Sequence, residues 1–380
     1  MIKRLVEFIR NTYRTNEFIA LHEPSFNGNE LSYVTEAVKS TYVSSVGKFV
    51  DEFEKGIEKY TASPGAVSTV NGTAALHASM YVAGVRAGDA VITQALTFVA
   101  TCNAIHHMGA QPIFVDVSKN TMGLCPKALE LFLEENAVLE VDSCYLKSSN
   151  KRIRAVIPMH TYGHPVELDE IVVICKKWKL VLIEDAAESL GSFYKGRHTG
   201  TFGDFGAISF NGNKVITTGG GGMILCASQE SKQTVKHVTT TAKVKHPYEF
   251  FHDVAGFNYR MPNLNAALGL GQLEVLNSHL LKKRQLAMHY KEFFAGSNYT
   301  FFDEPDDTKS NFWLNTLVCT SLNSRNELIE KANMLGVMMR PIWQPMHKLP
   351  VFKDCPTGNL SNTEWFESRV VNIPSSPVEL

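Results

Sequence analysis

Between Ala66 and about Ser228, short apolar runs alternate with segments whose apolar residues recur at helical spacing. AVSTV (66–70) leads into NGTAALHASMYVAGV, and DAVITQA (89–95) into TFVATCNAIHHMG. PIFVDV (112–117) precedes CPKALELFLEE, RAVIPMH (154–160) precedes VELDEIVVICKKW, and LVLIEDA (180–186) closes the series. Strands that are apolar throughout bury both faces, and the helices between them supply the covering layers. The pattern therefore predicts a mostly parallel sheet between helices. FGAISF (205–210) and GMILCAS (222–228) follow with no helix between them, so they read as a hairpin with a long, glycine-rich connection.

Residues 263–295 read as one long helix, with a kink allowed. FWLNTLVCT then reads as a strand and SRNELIEKANMLG as a helix, which predicts a smaller α/β domain with its own sheet. GFNYRMPN breaks the pattern near 255–262. The expected division is an N-terminal segment plus large domain over 1–257, and a small C-terminal domain over 258–380. At the start of the chain Ile2, Leu5, Val6, Ile9 and Tyr13 share a helical face, which predicts an amphipathic helix packed on the body. VLEVDSCYLKSSNKR (138–152) reads as an extended hairpin or a surface loop.

Composition narrows the function classes. With 44% hydrophobic and 20% charged residues in 380, the chain is an ordinary globular one, large enough to bury a sizeable core. A net charge of -1 with no basic block gives nucleic acid no electrostatic hold. No stretch is apolar for long enough to span a bilayer. The seven cysteines are odd in number and irregularly spaced, with no Cys-x-x-Cys pair. That argues against a disulfide framework and a structural zinc, and for a reducing cytoplasm.

Several positions can carry chemistry. Lys214, in SFNGNKVITTGGGGM, lies on the hairpin connection, where a rigid frame can aim it into a cleft. A solvated lysine has a pKa of about 10.4, and burial beside a carbonyl cofactor would let its amine form a Schiff base. Most lysines are simply solvated, so the neighbours decide. Asp185 ends the strand LVLIEDA, and open α/β sheets bind ligands at the carboxyl ends of their strands. It is either a helix N-cap or a partner for a protonated pyridine nitrogen. Asn71-Gly72-Thr73-Ala74 opens a helix, whose unpaired N–H groups suit a phosphate; the plain alternative is a strand-to-helix turn. Ser209 is placed to add a hydroxyl. Phe98 is placed to stack on a flat ring, although a lone phenylalanine is more often core. Gly219–Gly222 lacks the Gly-Lys-Ser/Thr ending of an NTPase loop, no His spacing completes a zinc motif, and no Gly-x-Ser-x-Gly elbow occurs.

In order, VSSVGKFVDEFEKGIEKY, NGTAALHASM, ALTFVATCNAI, PMHTYGHP, LIEDAAESLG, GDFGAISFNGNKVITTGGGGM, GFNYRMPNLNAALGLGQLE, RPIWQPMHKLP and VNIPSSP resemble the DegT/DnrJ/StrS family of pyridoxal-phosphate (PLP) sugar aminotransferases. The resemblance runs from about Leu21 to the C-terminus and implies the aminotransferase fold type I and a homodimer with shared active sites. It implies that Lys214 bonds the cofactor and Asp185 pairs with its ring nitrogen. Ala187 and Glu188 would lie beside the cofactor, Glu188 at a position often held by Gln. Gly72, Thr73, Ala74 and Ser209 would hold the phosphate, and Phe98 would stack on the ring. Asn258 would reach the neighbouring subunit's phosphate site. His160, Arg260, Trp343 and His347 fall in segments that the family places near substrate. Family members with histidine in place of the lysine are sugar dehydratases, so Lys214 favours transamination. SFNGNKVITTGGGGM and RPIWQPMHKLP are most similar to the LegC and PglE subgroup. That likeness implies L-glutamate as donor and a UDP-linked 4-keto-6-deoxy-N-acetylhexosamine as acceptor, for bacterial surface glycans. The competing readings are another PLP enzyme on the same scaffold (a 3-keto-sugar aminotransferase or a dehydratase), a non-enzymatic regulator, and a nucleotide-binding α/β protein without PLP.

Overall fold

The computed structural model describes residues 1–380. A nine-stranded sheet forms the centre. Its main path runs Gly65–Thr69, Gly222–Cys226, Phe205–Ser209, Val181–Asp185, Arg152–Ile157, Ala90–Gln94, Gln111–Val115. From Phe205–Ser209 to Gln111–Val115 every neighbouring pair is parallel, while Gly222–Cys226 runs antiparallel to both of its neighbours.

Alternation along the strands divides the core between two layers. Ala90, Ile92, Ile113 and Val115 pack with Leu129, Leu133, Ile171 and Ile174 of the helices Pro126–Asn136 and Leu168–Lys177. Val91, Ile157, Ile183 and Ile224 pack on the other face with Ala75, Leu76 and Met80 of the helix Gly72–Val82. Each such buried Val, Leu, Ile or Met side chain contributes about 1.5–3 kcal/mol. The stretch 138–152 continues the sheet as a short hairpin: Ala137–Leu139 pairs with Cys144–Leu146, which then pairs with Arg152–Ile157.

The helix Asn263–Phe294 runs for 32 residues. Its Ala266, Ala267, Leu276 and Leu280 share a core with Phe49, Phe53, Ile208 and Met223 of the large domain. Its Leu286, Tyr290 and Phe294 share another with Leu317, Leu328 and Val371 beside the small sheet. The small sheet is antiparallel, in the order Thr300–Phe301, Asn315–Val318, Val370–Ile373, Arg340–Pro341. The N-terminal helix Ile2–Tyr13 buries Leu5, Val6 and Ile9 in this second core, so the start of the chain packs on the small sheet. A side chain at Gly269 would meet Thr218 Cγ2 at 2.6 Å and the Phe53 ring at 2.9 Å, so glycine lets the long helix close on the connection that carries Lys214. No helix is long and apolar enough to cross a membrane.

Candidate active site

A cleft of about 660 Å³ opens at the carboxyl ends of the parallel strands, between the large and small sheets. The hairpin connection forms one wall. Phe205–Ser209 and Gly222–Cys226 pair from Phe205↔Cys226 to Ser209↔Gly222, which leaves Phe210–Gly221 as a loop. That loop is pinned internally: Phe210 N–H donates to Gly221 O (2.9 Å), Thr218 N–H to Phe210 O (3.0 Å), and Lys214 N–H to Asn211 O (3.0 Å). The Lys214 side chain is 13% exposed, and its Nζ lies 3.4 Å from Glu188 Oε1.

Asp185 and Glu184 diverge because successive strand side chains take opposite faces. Asp185 is buried at the base of the cleft. Its Oδ2 accepts from Thr101 Oγ1 at 2.7 Å and its Oδ1 from Ala187 N–H at 3.2 Å. Burial pushes this carboxyl above its ordinary range, while Thr101, the Ala187 N–H, Lys214 and His160 draw it back. Glu184 turns away and accepts backbone N–H groups from Gly200, Phe202 and Gly203.

Glu188 is the most perturbed acid of the cleft. Its Oε2 accepts Tyr162 N–H at 2.9 Å. Burial raises its pKa to about 7 against the pull of Lys214 and the Tyr162 N–H. Tyr162 holds a left-handed φ of 55° in the turn Thr161–Gly163. The next residue needs its glycine, because a Cβ on Gly163 would sit 1.8 Å from Asn311 Oδ1 at a φ of +95°. A carboxyl raised from 4.5 to about 7 binds more protons folded than unfolded across that window. Its stabilising contribution is therefore full below pH 4.5 and is lost as pH rises to about 7. Glu188→Gln removes this slope. In denaturant titrations of the cofactor-free protein, wild type should lose about 1–3 kcal/mol relative to the variant between about pH 4.5 and 7. A flat difference curve would refute the shifted acid.

The helix Gly72–Val82 aims its N-terminus at the cleft. Asn71 caps it, Oδ1 accepting Ala74 N–H at 2.7 Å. The Ala74 N–H is thereby occupied, and Ala74 does not line the cleft, unlike Gly72 and Thr73. A Cβ on Gly72 would lie 2.9 Å from Ser209 Cβ. Glycine thus brings two backbone N–H groups beside the hydroxyls of Thr73 and Ser209, a cradle for an anion. Phe98 is 49% exposed at the cleft mouth, facing Trp343 at a centroid distance of 6.1 Å.

Ala187 also lines the cleft, whereas four expected residues besides Ala74 do not. His160 is fully buried: its Nδ1 accepts Val166 N–H (3.2 Å), which leaves the proton on Nε2, 3.0 Å from Glu184 Oε2. Both ring nitrogens are spent on holding the strand ends, and the ring does not line the cleft. His347 sits in the turn Met346–Lys348, off the lining. Asn258 and Arg260 lie on an outer segment, where the guanidinium donates to Asn258 Oδ1 at 3.1 and 3.0 Å. Residues on and beside the small sheet supply walls that sequence reasoning missed: Trp313, Leu314, Arg340 and Asn372. RPIWQPMHKLP holds Arg340 and was a signal; nothing in SNFWLN distinguished Trp313 from a strand residue.

Comparison with known proteins agrees with this arrangement. The DegT/DnrJ/EryC1/StrS aminotransferase family matches residues 24–378. EpsN of Bacillus subtilis (strain 168) is 36% identical over 335 residues, 88% of this chain and 84% of that protein. GDP-perosamine synthase of Escherichia coli O157:H7 is 34% identical over 363 residues, 95% of this chain and 94% of the other. The solved structure of the aminotransferase TlmJ from Streptoalloteichus hindustanus shares the fold, with a TM-score of 0.85 at 24% identity, over 94% of this chain and 93% of that one. A match over nearly the whole chain places it in the DegT/DnrJ/EryC1/StrS aminotransferase family, as a pyridoxal-phosphate-dependent sugar aminotransferase.

Proposed function

We propose that Lys214 bonds the cofactor covalently, that Asp185 holds its ring nitrogen protonated, and that Gly72, Thr73 and Ser209 hold its phosphate. The observation that carries this reading is the convergence of a partly buried amine and a buried carboxylate in one cleft with a helix N-terminus. The residues fit the group: the Gly72 cradle is one that a Cβ would fill, and Asp185 is a buried acid with no cation in hydrogen-bond contact. Pyridoxal phosphate, when bound, supplies an aldehyde for nitrogen exchange and an electron-withdrawing ring. The chain supplies the rest. The Lys214 amine takes the proton from the donor's α-carbon and returns it, a transfer commonly worth about 10²–10⁴-fold. Phe98 and Ala187, which both line the cleft, would hold and orient the ring.

The amino donor in this reading is L-glutamate and the acceptor a UDP-linked 4-keto-6-deoxy-N-acetylhexosamine, supported by the likeness of the lysine and RPIWQP segments to the LegC and PglE subgroup. A GDP-linked keto-sugar is the second reading, favoured by GDP-perosamine synthases at 34% and 33% identity. A panel of UDP- and GDP-linked keto-sugars with glutamate, read by product mass, separates them. The amine mass should appear with the UDP substrate; product from the GDP sugar alone would reverse the assignment.

Tyr248, Phe250 and Phe251 are 79%, 80% and 61% exposed on the segment leading to Asn258 and Arg260. Such a patch supports a homodimer in which those two polar residues reach the partner's cleft. Seven unpaired cysteines support a cytoplasmic setting.

A further inference from the structure

We propose that the indole face of Trp313 and the carboxyl group of Glu188 form the resting place of the Lys214 amine whenever it is released from its covalent bond, which makes Trp313 a positioning residue for proton transfer. The inference rests on Lys214 being the covalent anchor, as read above.

Transamination requires the lysine to leave and return. While the substrate's nitrogen occupies its place, the amine accepts a proton from the α-carbon, becomes an ammonium, and gives that proton back. No net proton is left on the side chain. An unrestrained lysine has a long flexible stem, so its ammonium would wander through a cleft of this size. Here the Nζ stands 3.8 Å from the centroid of the Trp313 ring and 3.4 Å from Glu188 Oε1. An ammonium over an indole face is held by the ring's quadrupole.

The platform is itself built in. Trp313 is 5% exposed, and its Nε1–H donates to Asn213 O at 2.7 Å, the residue before the lysine. Trp313 N–H donates to Asn311 Oδ1 at 2.8 Å. The Asn311 amide donates to the backbone oxygens of Glu188 and Leu190, each at 2.9 Å. Lys283, fully buried in the long helix, donates to Trp313 O at 3.1 Å. The segment Asn311–Trp313 therefore ties together both groups that face the amine. Asp185 and the buried His22 also feel the charge of Lys214, and Tyr162 and Arg340 line the same cleft. The arrangement links the small domain to the reacting group, which a side chain used only for core packing would not do.

The test labels Lys214 in the cofactor-free protein by reductive methylation, read by peptide mass. An amine held against the ring and Glu188 is shielded from the reagent, so Trp313→Met should label about 2–5-fold faster than wild type, and Trp313→Phe, which keeps a ring face, in between. Should Trp313→Met not fold, fluorinated tryptophan at all four Trp positions keeps the shape and weakens the ring's negative face, with the same acceleration expected. In the loaded enzyme, exchange of glutamate's α-hydrogen with deuterated solvent should slow while KM for glutamate stays. Unchanged labelling in the fluorinated protein, with unchanged exchange, overturns the proposal. Borohydride reduction of the loaded protein separates the two readings. Cofactor mass on a peptide lacking Lys214 defeats the anchor assignment, whereas mass on Lys214 with unchanged labelling defeats only the role of Trp313.

Discussion

Lys214→Ala should abolish steady turnover, with a loss of at least about 10⁴-fold, because in the proposed function one substitution removes both the covalent anchor and the base. Lys214→Arg should be equally inactive: it keeps the positive charge, but a guanidinium does not give up its proton near neutral pH. The pair separates nucleophile and base from electrostatics. Neither change threatens the fold, since the loop is held by the backbone bonds of Phe210, Lys214 and Thr218 and not by the amine. The cofactor should still bind, without its covalent link, through Asp185 and the Gly72–Thr73 helix end. Product formation from glutamate and the keto-sugar, followed by mass, is the readout. Turnover of Lys214→Ala within tenfold of wild type would exclude this lysine from the chemistry.

Much of the large domain was legible because its information is local. Strands buried on both faces read as unbroken apolar runs, and Ala90–Gln94 and Gly222–Cys226 are buried at every position. Helix periodicity and the glycine-rich connection placed Lys214 on its loop before any geometry was known. Sheet order was not legible. Gly65–Thr69 pairs with Gly222–Cys226 across more than a hundred residues, and both are equally apolar wherever they sit. The N-terminal helix shows the same limit: its apolar face was plain, but not which core, near Leu317 or near Ile208, would receive it.

The site divides along a similar line. Residues at strand ends and helix starts (Asp185, Gly72, Thr73, Phe98) reached the cleft because those places face ligands in any open α/β sheet. His160 sits three residues past such a strand end, and a neighbouring carboxylate, Glu184, claimed it. An imidazole beside a buried acid satisfies that acid first, and the sequence alone does not say which direction the ring takes. Trp313 and Arg340 were missed for a different reason. They enter from a second domain, so their nearness to Lys214 exists only after the long helix has folded the small sheet back over the cleft.

Asp185→Asn should lower kcat by between about 10² and several thousand-fold with little change in KM for glutamate. The substitution is nearly isosteric. The Ala187 N–H, 3.2 Å from Oδ1, can still donate to the amide oxygen, and the Thr101 hydroxyl, 2.7 Å from Oδ2, can reverse and accept from the amide nitrogen, so stability should change little. The negative charge alone is lost. Breaking a buried charge pair by removing one partner costs about 3–5 kcal/mol, and each 1.36 kcal/mol in a barrier is tenfold in rate. That charge matters most when electron density leaves the donor's α-carbon, because a protonated ring nitrogen is then at its most useful. The loss should therefore fall on kcat, as expected for an interaction that strengthens at the transition state. Thr101→Val offers a graded companion: it removes one donor to the carboxylate but leaves the charge, so its effect should stay below that of Asp185→Asn, at about 10–150-fold or less, the worth of one hydrogen bond of about 1.5–3 kcal/mol to a charged group. If Asp185→Asn instead raised KM and left kcat near wild type, the carboxylate would be holding substrate and not the cofactor's nitrogen.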